Sequence, residues 1–230
     1  IINGLLSNVH QIYTKCNSNS NSNSNSNSNS NVTAAPDGTG TGTGTLFIDS
    51  QIICSPRQLQ KYFNKHFSKS NTSCDVIINK IIFPVNTDNH WYLVVITPTS
   101  INITDSLRWS ENDLIKVRIL TYCRILFDSI NHLSGQSNFI HSVAQYINRP
   151  DAMNYMKTPE TNYCQALGSN NCGAYILLRG TMQILNIEWK SSEWPDTILD
   201  VTLRPYIALM VLASFNCNTS KSLQEHIGVL

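Results

Sequence analysis

The sequence predicts an α+β fold, with a small, mostly antiparallel central sheet flanked by helices. Three observations lead there. Runs at residues 75–85, 90–96 and 101–105 are rich in Ile and Val and joined by short polar links, as strands are. Before and after them come runs with apolar residues three and four apart, the spacing of buried helix faces. Low-complexity repeats set the first 45 residues apart from the rest.

Size and charge exclude several functions. The chain has 230 residues and a net charge of +1, from 16 basic and 15 acidic side chains. No basic patch argues for nucleic acid. The longest strongly apolar run, residues 207–213, is far too short to span a membrane. Seven cysteines, at 16, 54, 74, 123, 164, 172 and 217, make no C-x-x-C pair, and none lies near a suitably spaced histidine pair. Neither a disulfide framework nor a structural zinc site is expected, and a reducing intracellular compartment fits best. No signal-peptide pattern is visible, and the four N-x-[ST] sequons are the ordinary yield of a chain rich in Asn, Ser and Thr.

Taken in order, residues 1–15 could form a short helix or an entry strand. Residues 17–31 alternate Asn with Ser, and residues 39–45 alternate Thr with Gly. Neither tract can bury enough apolar surface to offset its ordering entropy, so residues 1–45 are expected to be mostly disordered. Whether they form a tail or a loop inserted into the domain depends on where residues 1–15 go. The folded domain is assigned to residues 46–230.

Order resumes at Leu46–Ile53. Ser55-Pro56 reads as a helix N-cap and first helical residue, followed by Leu59, Tyr62, Phe63 and Phe67 on one face. The three strands follow, and the short turn around Pro98 makes the second and third antiparallel neighbours. Ser110-x-x-Asp113 resembles a capping box, opening a helix through Leu114, Val117, Leu120, Ile125 and Leu126 to about Ile130. Residues 134–163 are poorly patterned, with one short element at 139–147. A polar loop at 165–171 ends at Cys172, and the apolar run behind it predicts a mostly buried helix. A last helix is expected over 198–215, interrupted near Arg204-Pro205.

Cys172 therefore falls on the first turn of a helix, where unpaired N–H groups and the helix dipole favour a thiolate. A nucleophilic cysteine needs a base, a group that orients the base, and an oxyanion donor. Of six histidines, His90 opens a strand directly after a loop, where rigidly held catalytic groups tend to sit. Asp105 ends the next strand, and an antiparallel hairpin brings the two ends together. There a carboxylate could fix the tautomer of the imidazole. The same spacing also suits a surface histidine and an aspartate that merely closes a strand. Cys164 and the remaining cysteines read as structural.

Four blocks in order carry a family resemblance: 46–53, 83–96 with His90-Trp91, 103–107 with Asp105-Ser106, and 165–175 with Gln165 and Asn171-Cys172-Gly173. Together they resemble the ubiquitin-like-protein-specific proteases, the SUMO/sentrin and NEDD8 protease family of the papain-like clan, over residues 46–215. The resemblance implies a papain-like fold with the nucleophile at a helix N-terminus. Cys172 would be the nucleophile, His90 the general base, Asp105 its orienter and Gln165 the oxyanion donor. Trp91, Phe47, Asn171 and Gly173 would lie on the substrate side, Trp91 roofing a tunnel that admits only a Gly-Gly tail. It also implies processing or deconjugation of SUMO or NEDD8 by a monomer in the nucleus or cytoplasm. No metal or organic cofactor is implied, and no nucleic acid or membrane.

Three positions depart from the family pattern. Asn171 stands where Asp is usual, Phe47 where Trp is usual, and Gln165 lies seven residues before Cys172, one more than the usual spacing. The loop absorbs that residue, or another group donates to the oxyanion. These departures leave open a second class of function, a binding module for ubiquitin-like proteins with weakened activity.

Overall fold

The computed structural model describes residues 6–7, 43–67, 77–107, 111–130, 137–158, 164–165, 169–187, 201–205 and 207–208. The Asn-Ser tract, Ser110 and most of the expected last helix lie outside them.

Strand β1 (Thr43–Phe47) leads into a one-turn helix α1 (Ser50–Ile53), capped by the Asp49 side chain, which accepts from the Gln51 N–H at 2.7 Å. Helix α2 (Pro56–Phe67) begins with proline at its first position, and the Ser55 hydroxyl accepts from the Gln58 N–H. Strands β2 (Ile77–Thr87), β3 (His90–Ile96) and β4 (Ile101–Thr104) follow. Helices α3 (Asp113–Ile130) and α4 (Ser137–Ile147), a 3₁₀ turn (Ala152–Tyr155), a two-residue strand β5 (Met156–Lys157) and helix α5 (Cys172–Leu185) complete the order.

The sheet runs β1-β2-β3-β4-β5. Its centre is antiparallel, β2 with β3 and β3 with β4, but both edge strands pair in parallel. The sheet is therefore mixed, with an antiparallel centre. Pro84 falls beyond the last β1 pairing, Phe47 with Ile82, so its missing N–H removes no bond to that strand.

Helices cover both faces, which is why His90–Ile96 reads as a nearly continuous apolar run. Tyr92, Val94 and Ile96 join the core beneath α2, α3 and α4, while Leu93 and Val95 join the core beneath α5. Lys80 ties β2 to the end of α5, donating to the Gln183 carbonyl at 2.7 Å and to Asn186 Oδ1 at 2.8 Å.

Two expectations are corrected. Residues 43–45 are strand rather than disordered, because parallel pairing with β2 supplies the partners that the Thr-Gly composition lacks. On α3 the buried face runs through Ile115, Ile119, Cys123, Leu126 and Ile130, while Leu114 and Val117 are 69% and 49% exposed. Apolar residues lie on several faces of that helix, so spacing alone does not choose one. The first turn of α3 carries a bond from the Leu114 N–H to Asn112 Oδ1 at 2.8 Å, while Ser110, the expected cap, lies outside the described residues.

Residues 6–7 are helical, and Leu6 is fully buried. It packs against Gly180 of α5, where an added Cβ would come within 2.8 Å of Leu6 Cδ2. Residues on both sides of the repeats, Leu6 before them and Leu46 after them, thus belong to the core.

Candidate active site

The β2–β3 hairpin places His90. Its two-residue turn, Asp88–Asn89, has φ of 54° and 60°, and Thr87 pairs with His90. Two positive φ values make a type I′ turn, which Asp and Asn adopt at modest cost. His90 is therefore the first residue of β3. From α3, Arg118 Nη1 reaches across to Thr87 Oγ1 at 3.1 Å and to the Asp88 carboxylate, bracing the turn.

Asp105 follows directly on β4, whose last residue pairs Thr104 with Leu93. His90 Nε2 and Asp105 Oδ1 lie 2.6 Å apart, both side chains buried. Oδ1 also accepts the Leu107 N–H at 2.8 Å. The carboxylate is thus fixed from two sides and in turn fixes the ring. With Nε2 engaged by Asp105, Nδ1 is the nitrogen placed to exchange a proton elsewhere. Tyr92, two residues along the strand, sets its ring edge-on to His90, centroids 4.8 Å apart. Burial first, then the charges of Asp105 and Asp88, push its phenol well above its ordinary value, so it stays neutral.

Cys172 is the first residue of α5, half-buried, and close enough to Tyr92 for a thiolate to act on that phenol. Gln165, seven residues earlier in the chain, is buried. Its N–H donates to the Ser106 carbonyl at 2.9 Å, its Oε1 accepts from Ser106 Oγ at 2.7 Å, and its Nε2 donates to the Ser169 carbonyl at 2.9 Å. The last bond ties the Gln165 side chain to a residue three positions ahead of Cys172. Nε2 carries two N–H groups, and the Ser169 carbonyl takes one of them.

The four proposed catalytic positions thus gather at one end of the sheet: His90 and Asp105 bonded directly, Gln165 bonded to the residue after Asp105, and Cys172 opening the helix that packs on β3. The substrate-side positions are less uniform. Trp91 and Gly173 are half-buried and retain surface for contact, and Trp91 packs on the α5-side core. Phe47, only 4% exposed, packs as a core residue of that same cluster. Asn171 is also buried, and its Oδ1 accepts from Arg204 Nε at 2.9 Å, while Arg204 Nη2 donates to the Asn170 carbonyl at 2.9 Å. This bond ties the residue before Cys172 to Arg204.

Sequence reasoning missed Arg118, Ser106, Ser169 and Arg204. Ser106 and Ser169 lay inside the quoted blocks, but nothing in their spacing marks a bond. Cys54 and Cys164 are exposed, whereas Cys123 is fully buried and its thiol is pushed well above its ordinary value by that burial. Among the described residues, no group of three or more His, Cys, Asp or Glu could hold a metal, and no helix is long and apolar enough to cross a membrane.

The Arg204 clamp gives a signed expectation. Asn171→Asp turns a neutral acceptor into a charged one and is expected to stabilise the wild-type chain by about 0.5–1 kcal/mol. In an Arg204→Ala background the same exchange leaves a buried carboxylate without its guanidinium and is expected to destabilise. Urea unfolding of the four chains reads the reversal of sign; the same sign in both backgrounds would refute the clamp.

A family model described as the Ulp1 protease family, C-terminal catalytic domain, matches residues 55–217. No curated protein matches the chain by sequence. Among solved structures, similar ones include the C-terminal Ulp1 protease domain in complex with Smt3, the yeast ortholog of SUMO. It is 16% identical, with 74% of this chain and 68% of that one covered and a TM-score of 0.48. The catalytic domain of the Chaetomium thermophilum Ulp1-like SUMO protease is 14% identical, with 88% and 68% covered and a TM-score of 0.49.

Proposed function

Because the chain belongs to the Ulp1 protease family, a family of cysteine peptidases, we propose that it cleaves after the C-terminal Gly-Gly of a ubiquitin-like modifier, SUMO or NEDD8. Precursor processing and isopeptide deconjugation both fall within this reading. The observation that carries it is the buried 2.6 Å contact between His90 and Asp105 at the end of the sheet where Cys172 opens α5.

In this mechanism His90 Nδ1 takes the proton of Cys172, and Sγ attacks the carbonyl carbon of the terminal glycine. Negative charge gathers on the glycine oxygen, which is held by the second N–H of Gln165 Nε2 and by the backbone N–H of Cys172. Asp105 stabilises the imidazolium through Nε2. The C–N bond then breaks, and His90 returns its proton to the departing amine. Water, deprotonated by His90, attacks the thioester, releasing the modifier with a free carboxylate and regenerating the thiol. No step calls for a metal or organic cofactor. Trp91, with part of its ring accessible, borders the path of the Gly-Gly tail, which has no Cβ to clash with it. The working unit is proposed to be a monomer, in the nucleus or cytoplasm.

SUMO and NEDD8 bearing a C-terminal electrophile test the proposal. The expected result is a covalent adduct with at least one of them, visible by intact mass, and none with Cys172→Ala. No adduct with either modifier refutes the protease reading, and an adduct that survives Cys172→Ala refutes the nucleophile. The engagement of Gln165 Nε2 by the Ser169 carbonyl favours one second reading, a modifier-binding module with weakened activity. That reading expects saturable binding of unmodified SUMO or NEDD8 without an adduct.

A further inference from the structure

We propose that Ser106 is a positioning residue for this reaction: its hydroxyl fixes the side-chain amide of Gln165 in the orientation that presents Nε2–H to the oxyanion. The inference rests on the protease reading above and adds a residue to its machinery.

Only one orientation of the Gln165 amide satisfies its neighbours. An asparagine or glutamine amide is assigned by what its two ends can accept or donate. The Ser169 carbonyl can only accept, so the end of Gln165 that lies 2.9 Å from it must be Nε2. Oε1 then faces Ser106 Oγ at 2.7 Å, and the hydroxyl must be the donor. Reversing the amide would set Oε1 against the carbonyl oxygen, two acceptors with no proton between them. Gln165 is buried and Ser106 fully so, leaving little room for water to replace a lost bond.

Chain connectivity reinforces that orientation. Ser106 is the residue after Asp105, and its own carbonyl accepts the Gln165 N–H at 2.9 Å. Main chain and side chain of Gln165 are therefore both tied to the strand end that carries the orienting carboxylate. One short segment, Asp105–Ser106, holds the ring of His90 with one side chain and the amide of Gln165 with the next. Donation into Oε1 also draws electron density away from Nε2, which strengthens its N–H as a donor when charge develops on the substrate oxygen. Without that hydroxyl, Oε1 is left buried without its donor, and the amide is held at its Nε2 end alone, free to swing about that bond.

The test is a double-mutant cycle on the full chain, with turnover of a fluorogenic SUMO or NEDD8 C-terminal substrate, whichever the wild type cleaves. Removing an oxyanion donor costs about 10²–10³ in kcat, so Gln165→Ala is expected to fall in that range. Ser106→Ala is expected to lower kcat at least about tenfold with KM changed less than about twofold, the pattern of an interaction made only in the transition state. In the Gln165→Ala background, Ser106→Ala is expected to bring no further loss of kcat, while its effect on the melting temperature persists. Ser106→Thr keeps the hydroxyl and is expected to restore most of the rate. Ser106→Cys keeps the volume with a weaker donor and is expected to fall between, which preserves the test if Ser106→Ala does not fold.

A folded Ser106→Ala or Ser106→Cys with wild-type kcat overturns the inference, and so does a kcat loss that adds in full to that of Gln165→Ala. In both cases the protease reading stands. A wild-type chain that turns over neither substrate overturns that reading, and this inference with it.

Discussion

Asp105→Asn is expected to keep turnover within about tenfold of wild type, whereas Asp105→Ala is expected to lower kcat by about 10²–10⁴. In serine triads the asparagine exchange costs about 10⁴, because the amide presents an N–H to the ring and imposes the wrong tautomer. Here Oδ1 accepts from both His90 Nε2 and the Leu107 N–H. The backbone donor demands an oxygen at that position, so the amide introduced by Asp105→Asn would keep its Oδ1 toward the ring and hold the tautomer. What is lost is the full charge opposite the imidazolium, a smaller effect in a site of the Cys-His type, where asparagine also serves as orienter. Alanine removes both bonds and leaves His90 buried without its acceptor, which also costs about 1–3 kcal/mol of stability. Steady-state kinetics with urea unfolding of each variant checks this. Equal losses in the two variants would show that the Leu107 N–H does not govern the amide.

The second large effect concerns stability. Leu6→Ala is expected to destabilise the chain by about 2–5 kcal/mol, the range for emptying a buried leucine site. Leu6 is fully buried and fills a notch that exists because Gly180 has no side chain. Deleting the Asn-Ser tract, residues 17–31, is expected to change stability by no more than about 0.5 kcal/mol, because closure entropy depends only logarithmically on loop length. The two changes lie in the same stretch of sequence, yet their expected costs differ several-fold. Urea midpoints of the two variants decide the matter, and a Leu6→Ala chain as stable as wild type would remove Leu6 from the core.

Elements set by neighbouring residues were legible. The Ser55-Pro56 helix start, the bounds of β3, and Cys172 on the first turn of α5 all follow from turn chemistry, capping and alternation within a few positions. His90 and Asp105 could be paired in advance because one short hairpin joins their strands and register follows from its turn. The buried face of α3 was not legible, since Leu114, Ile115, Val117 and Ile119 offer more than one apolar stripe and only the packing of α2 and α4 selects among them. Strand β5 was not legible either, because two residues carry no pattern and exist as a strand only through pairing with β4.

The chemistry available to this protein is written in its residue order: a cysteine at a helix start, and a histidine and an aspartate at adjoining strand ends. How that chemistry is held depends on packing between distant segments. The Ser106–Gln165 bond spans 59 residues of sequence and the Arg204–Asn171 bond 33, distances at which no local propensity acts. The same packing buried Phe47 and Asn171, which the family pattern had set toward the substrate. Local rules fix which groups an element presents, whereas burial and long-range hydrogen bonds fix what those groups meet.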